Sequence, residues 1–173
     1  QHQALYLGRD QGLSTEVLGN VFSLFFTCSV LGKFIFGWLS DHFPKFLIML
    51  LAIVNLAAGL VILRFVDGAG IAMIYGYAVV FGIGFSGSFT MIQLTIAELF
   101  TGPTYGRILG IYVAVDTIAA SAGIFALGTI RVAADSYIPA IDLMLFLSVV
   151  ALACVLAIKR ELAKRELQIA AAE

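Results

Sequence analysis

The stretch Gly32-Lys33-Phe34-Ile35-Phe36-Gly37-Trp38-Leu39-Ser40-Asp41-His42-Phe43-Pro44-Lys45 runs an apolar helix into a short charged turn and carries a lysine inside the apolar part. On either side of that turn lies a predominantly apolar segment of membrane-spanning length. A hydrocarbon core of about 30 Å takes roughly 20 helical residues at 1.5 Å each. Working outward from the turn, five segments meet that length, near residues 17–40, 45–65, 70–98, 106–130 and 139–159. In lipid every backbone N–H and C=O must be satisfied within the protein, so such segments are helices. The fold expected is all-α, a polytopic membrane bundle of five transmembrane helices.

Composition excludes an ordinary soluble domain. Hydrophobic residues make up 61% of the 173 and charged residues only 12%, far from the roughly 45–50% apolar content of globular chains. Mean hydropathy is +1.04. A net charge of -1 offers no basic face for nucleic acid. Cys28 and Cys154 both fall in apolar stretches, where a thiol acts as a small hydrophobe, and their spacing matches neither a disulfide framework nor a metal site.

The separators carry turn or charge signals: Ser40-Asp41-His42-Phe43-Pro44, Val66-Asp67-Gly68, Phe100-Thr101-Gly102-Pro103-Thr104 and Ala133-Ala134-Asp135-Ser136-Tyr137. Residues 1–16 are polar and read as an extracytoplasmic loop, with Ser14-Thr15-Glu16 as a capped helix start. Residues 17–159 form the five-helix bundle. Residues 160–173 form a cytoplasmic tail that alternates charge with Leu and Ala and continues the last helix into water.

Orientation follows from Lys and Arg in the connections. One side holds Lys45, Arg107, Lys159, Arg160, Lys164 and Arg165; the other holds Arg9, Arg64 and Arg131. The side richer in basic residues is expected to be cytoplasmic, which puts the C-terminus inside and Gln1 outside; the membrane expected is a plasma (inner) membrane. An odd number of spans, beginning in mid-loop without an initiating methionine, suggests a piece of a longer chain with at least one helix upstream.

The opening stretch resembles the loop motif of the major facilitator superfamily, in which a glycine, a small-residue helix end and an aspartate precede basic residues. Gly37 and Asp41 hold that pattern, while His42, Pro44 and Lys45 stand where Arg, Gly and Arg or Lys are more usual. Glu98-Leu99-Phe100, Tyr105-Gly106-Arg107 and Gly110 resemble the family's loop between its tenth and eleventh helices, and Asp135-Ser136-Tyr137 the segment before the twelfth. The resemblance implies that the spans are helices eight to twelve, the carboxyl-terminal half of a carrier whose amino-terminal half would be its partner. His2, Leu5, Asp10 through Ser14 and Gly32-Lys33 look most like carriers of the monocarboxylate and oxalate-formate type. In those a basic residue four before the glycine faces the substrate carboxylate, which is the place of Lys33. Lysine offers a point charge rather than arginine's two-pronged fork. The resemblance also implies that Gly37, Asp41 and Lys45 form a conformational latch.

Lys33 shares a helix face with Ser29, Phe36, Gly37 and Ser40, small and polar apart from Phe36. An intramembrane charge points to function, although Lys33 lies only about 10 Å from the helix end at Ser40 and can snorkel. Asp116 cannot; it lies about 14 Å along its helix from Arg107. It shares a face with Tyr112, Ala119, Ala120 and Gly123, and must be protonated, paired or in a water-filled cavity. Its alternatives are a structural pairing, or substrate binding and proton carriage. Gln93 lies with Ser86, Thr90 and Ala97 on the third span, as helix glue or substrate contact. The substrate-binding candidates are therefore Lys33, Asp116, Gln93 and Tyr112. Asn55 is expected to hydrogen-bond between helices. Gly82, Gly84 and Gly87 either loosen the third helix or permit close packing, and Gly106 and Gly110 form a small-xxx-small pair.

The function expected is secondary active transport of a small organic anion, such as a monocarboxylate, by alternating access, with lipid bilayer and solute as the other partners. Other readings are transport of a sugar or amino acid, or a partner-dependent subunit that does not itself transport. No cofactor or metal is called for: His2 and His42 lie in loops without ligand spacing, and neither HExxH nor Gly-x-Ser-x-Gly occurs, so an enzyme is not expected.

Overall fold

The computed structural model describes residues 2–68, 70–100 and 102–170. The chain is all-α there. A short helix α1 (His2–Leu5) passes directly into a π-helical turn (Tyr6–Asp10). Five long helices follow: α2 (Thr15–His42), α3 (Lys45–Arg64), α4 (Ile71–Leu99), α5 (Tyr105–Ala134) and α6 (Ile138–Ala170). All five are long and apolar enough to cross a membrane, and their bounds lie within a few residues of the expected spans. α2, α4 and α5, at 28 to 30 residues, exceed the roughly 20 that a 30 Å core needs, so they tilt or project from it.

Local chemistry explains the ends. Ser14 Oγ accepts the Val17 N–H at 3.3 Å and caps α2. α2 stops at Phe43, where Pro44 forbids helical continuation. Gly68 and Gly102 turn the connections after α3 and α4 at positive φ. Asp135 takes the left-handed conformation after α5, one that aspartate tolerates better than most residues. Ser136 Oγ then accepts the Ile138 N–H at 3.2 Å, and Pro139 sits in the first turn of α6, where its missing N–H costs nothing.

One expectation changes. The loop expected over residues 1–16 contains helical His2–Asp10, which tucks Tyr6 and Leu7 into the bundle at 3% and 0% exposure. Apolar Leu5, Tyr6 and Leu7 are too few for a span, yet enough to bury a turn once a groove receives them. The charged tail is helix through Ala170; Gln1 and residues 171–173 lie outside the described residues.

α4 is the centre of the packing, with α2 on one side and α3 on the other, while α6 packs on α3. Glycines set both approaches. A Cβ on Gly32 of α2 would strike Ser86 and the Ile83 carbonyl, and one on Gly84 of α4 would strike the α3 backbone at Asn55 and Leu56. Gly84 thus serves close packing, which is how helices associate where lipid removes the hydrophobic drive. On either side of this waist lies an apolar cluster, one around Leu60, Leu63, Tyr77 and Phe81, the other around Phe36, Ile48, Ala52 and Met91. α5 stands apart: none of its residues is buried.

Candidate functional site

Charged residues gather at the two ends of the bundle. At one end Lys45 Nζ meets Glu98 Oε2 at 3.1 Å, joining the start of α3 to the end of α4. At the other, Arg64 Nε meets Asp142 Oδ1 at 2.8 Å. There too Arg131 holds Asp10 at 3.0 Å and Asp135 at 2.9 Å, with its guanidinium 5.2 Å from the centre of the Tyr137 ring. Tyr137 packs edge-on against Tyr6 and leans on His2. His2 Nε2 lies 2.8 Å from the Ile124 carbonyl, and the Tyr77 hydroxyl donates to Gln3 Oε1 at 2.7 Å. The N-terminal turn is thereby fastened to α4, to α5 and to Tyr137 ahead of α6.

The face expected to carry Lys33 divides. Ser29 donates to the Gly82 carbonyl at 3.1 Å, and Phe36, 5% exposed, fills the space left by Gly87. Ser40 is buried and donates to its own helix at Gly37 O, 2.7 Å away. These residues belong to the α2–α4 contact, whereas Lys33 is exposed at its edge. Asp116 is likewise exposed and Tyr112, one turn before it, partly buried, both on α5. Gln93 is partly buried on α4. The structure brings none of these four side chains into hydrogen-bond contact with another among the described residues.

Of the turn residues, Lys45 pairs with Glu98 and not with Asp41. The position ahead of α3 is Pro44, which supplies no side-chain cap, so Asp41 does not cap that helix. It stands exposed at the end of α2. Gly37 has nothing within 4 Å of where a Cβ would be, and Gly106 and Gly110 are equally open, so the small-xxx-small pair of α5 has no neighbour to admit. Asn55 fails to make the interhelical bond expected of it. Its Oδ1 is buried against α4 without a partner.

What sequence reasoning missed is an open groove of about 370 Å³ between α1, α2, α4, α5 and α6, lined chiefly by Phe22, Phe25, Phe26, Phe81 and Phe85. Phe25 stacks on Phe81 at 5.8 Å, Phe81 on Phe85 at 6.1 Å and Tyr77 on Phe81 at 5.4 Å. The signal was present as aromatics every four residues on α4: Tyr77, Phe81, Phe85 and Phe89. It was lost among the many other apolar residues of a membrane helix.

The sequence profile of the Major Facilitator Superfamily matches residues 3–173. The chain belongs to that superfamily. No curated protein matches it. As a member of the superfamily it is an integral membrane protein of the secondary-transporter class, its five long helices forming part of the major facilitator bundle. In a solute carrier the end-on ion pairs and the exposed, charge-bearing faces of α2 and α5 acquire distinct roles. The former hold helices together within the bundle; the latter are exposed among the described residues.

Proposed function

We propose that this chain is part of a carrier for small organic anions, a monocarboxylate or dicarboxylate, moved by alternating access about a site near the membrane midplane. The observation that carries the reading is the position of Lys33. It is a lone cation in the interior of α2, exposed at the edge of the α2–α4 contact rather than consumed in it. A charge kept at that depth is costly unless it meets a counter-charge or water. Lys33 attracts the anion; Asp116, with Tyr112 before it, carries the coupling proton or holds a cation; Gln93 contributes a neutral polar contact.

In this reading α2–α6 are helices eight to twelve, and the unburied α5 faces the other half of the carrier. The C-terminus is cytoplasmic, in a plasma (inner) membrane, which places the Lys45–Glu98 end inside. Gly37, Asp41 and Lys45 then form the latch at the cytoplasmic face. Support comes from the exposed Asp41, four residues before Lys45, whose ion pair already links α3 to α4. The decisive experiment is anion uptake by the reconstituted carrier with Lys33→Ala: uptake is abolished, and uptake at unchanged affinity would overturn the assignment.

A further inference from the structure

We infer that the aromatic groove seats the body of the carried anion, and that this body is a planar aromatic or similarly broad apolar group. The inference rests on the anion reading above and adds the shape of the solute to it. The groove, about 370 Å³, falls in the range of small-molecule sites, which are mainly apolar with a few placed polar groups. Its polar lining residues are His2 and Gln3. Both are anchored, His2 to the Ile124 carbonyl and Gln3 to the Tyr77 hydroxyl, so the groove is a formed surface.

Phe26 and Phe85 remain 64% and 51% exposed although their neighbours stack in register, which leaves ring faces open to a guest. Ring faces favour offset stacking and edge contacts with another ring. On α2, Phe22, Phe26, Ser29 and Lys33 follow at spacings of four, three and four and therefore share one stripe. Lys33 lies about 10 Å beyond Phe26 along the axis. A solute with a ring against Phe25, Phe26 and Phe85 thus directs a carboxylate along the stripe toward Lys33. A one- or two-carbon acid leaves the groove unfilled.

The test is uptake of radiolabelled pyruvate and phenylpyruvate by the carrier in proteoliposomes, with uncharged phenylacetamide as a competitor. Phenylpyruvate is expected to half-saturate at a concentration at least ~10-fold below pyruvate, about 1.4 kcal/mol. Phe85→Ala should bring the ratio near one. Phe85→Leu, which keeps bulk but removes the ring, should lower it part-way in a carrier whose melting is unchanged. Phe34→Ala, at an exposed position off the stripe, should leave the ratio as it was. Equal half-saturation, unaffected at Phe85, overturns the groove and leaves the anion reading standing. Saturable binding of radiolabelled phenylacetamide to the carrier in the absence of any anion uptake overturns the anion reading and keeps the groove. No uptake of either anion and no binding of phenylacetamide overturns both.

Discussion

Arg131 Nη2 lies 3.0 Å from Asp10 Oδ1, a contact between residues 121 apart in the chain that fastens the N-terminal π-helical turn to the end of α5. The same guanidinium binds Asp135 at 2.9 Å through its other nitrogen. α5 buries no residue of its own, so this polar contact is a principal tie between it and the N-terminal turn. Asp10→Asn should lower the melting temperature of the detergent-solubilised protein by a few degrees. The exchange Asp10→Arg with Arg131→Asp should recover part of the loss, the coupling that a double-mutant cycle isolates. Added salt should shrink the difference, because the pair is reached by solvent.

The glycines of the waist and of the turn should separate packing from gating. Gly84→Leu and Gly32→Val each force a side chain into backbone or Ser86 and should cost about 1–3 kcal/mol, visible as a lower folded yield by size exclusion. Gly37→Ala meets nothing within 4 Å and should leave stability within about 0.5 kcal/mol. A fall in transport by Gly37→Ala with an unchanged melt would then assign that glycine to the conformational cycle.

Asn55 buries an amide oxygen without a partner. Replacing an unsatisfied polar group by an apolar one of similar shape removes a desolvation cost, about 1–3 kcal/mol for a fully orphaned group. Asn55→Leu should therefore be neutral or stabilising in a thermal melt, and Asn55→Asp destabilising. A clear loss with Leu would mean that the amide is satisfied in the working carrier.

Tyr6 supplies the pH dependence. Burial, and secondarily the charge of Asp67, push its hydroxyl above the usual 10.0. The folded state then binds the phenolic proton more tightly than the unfolded chain does. The contribution is fully present below pH 10 and is lost as pH rises through the folded value. Melting temperature should drop on raising pH past 10, and Tyr6→Phe should flatten that part of the profile.

The helical architecture was legible in the sequence because lipid leaves so few options. Apolar runs of about 20 residues must be helices, and Pro44, Gly68, Gly102 and Asp135 mark where they stop. Ser14 could be named as a cap because capping is decided by the residue and its neighbours within one turn. The resemblance at Gly37 and Asp41 reached the superfamily on local sequence alone, and the profile match over residues 3–173 bears it out.

Helical periodicity puts Lys33, Phe36 and Ser40 on one face, but only the packed bundle decides which edge of that face is covered. α4 covers Phe36 and Ser40 and leaves Lys33 out. Lys45 finds Glu98 rather than Asp41 because antiparallel helices bring distant ends level, a distance no spacing rule measures. The turn at Tyr6 and Leu7 looked polar because its neighbours are polar, and it is buried because α1 has a groove to enter. The aromatic groove needs rings from two helices meeting at 5.8 to 6.0 Å. By itself, then, the sequence determined what depends on local backbone satisfaction and on lipid: five helices, their ends and the family. The tertiary structure alone decided which side chains pack and which stay open, since that is set by the close approach of α2 and α3 to the glycines of α4.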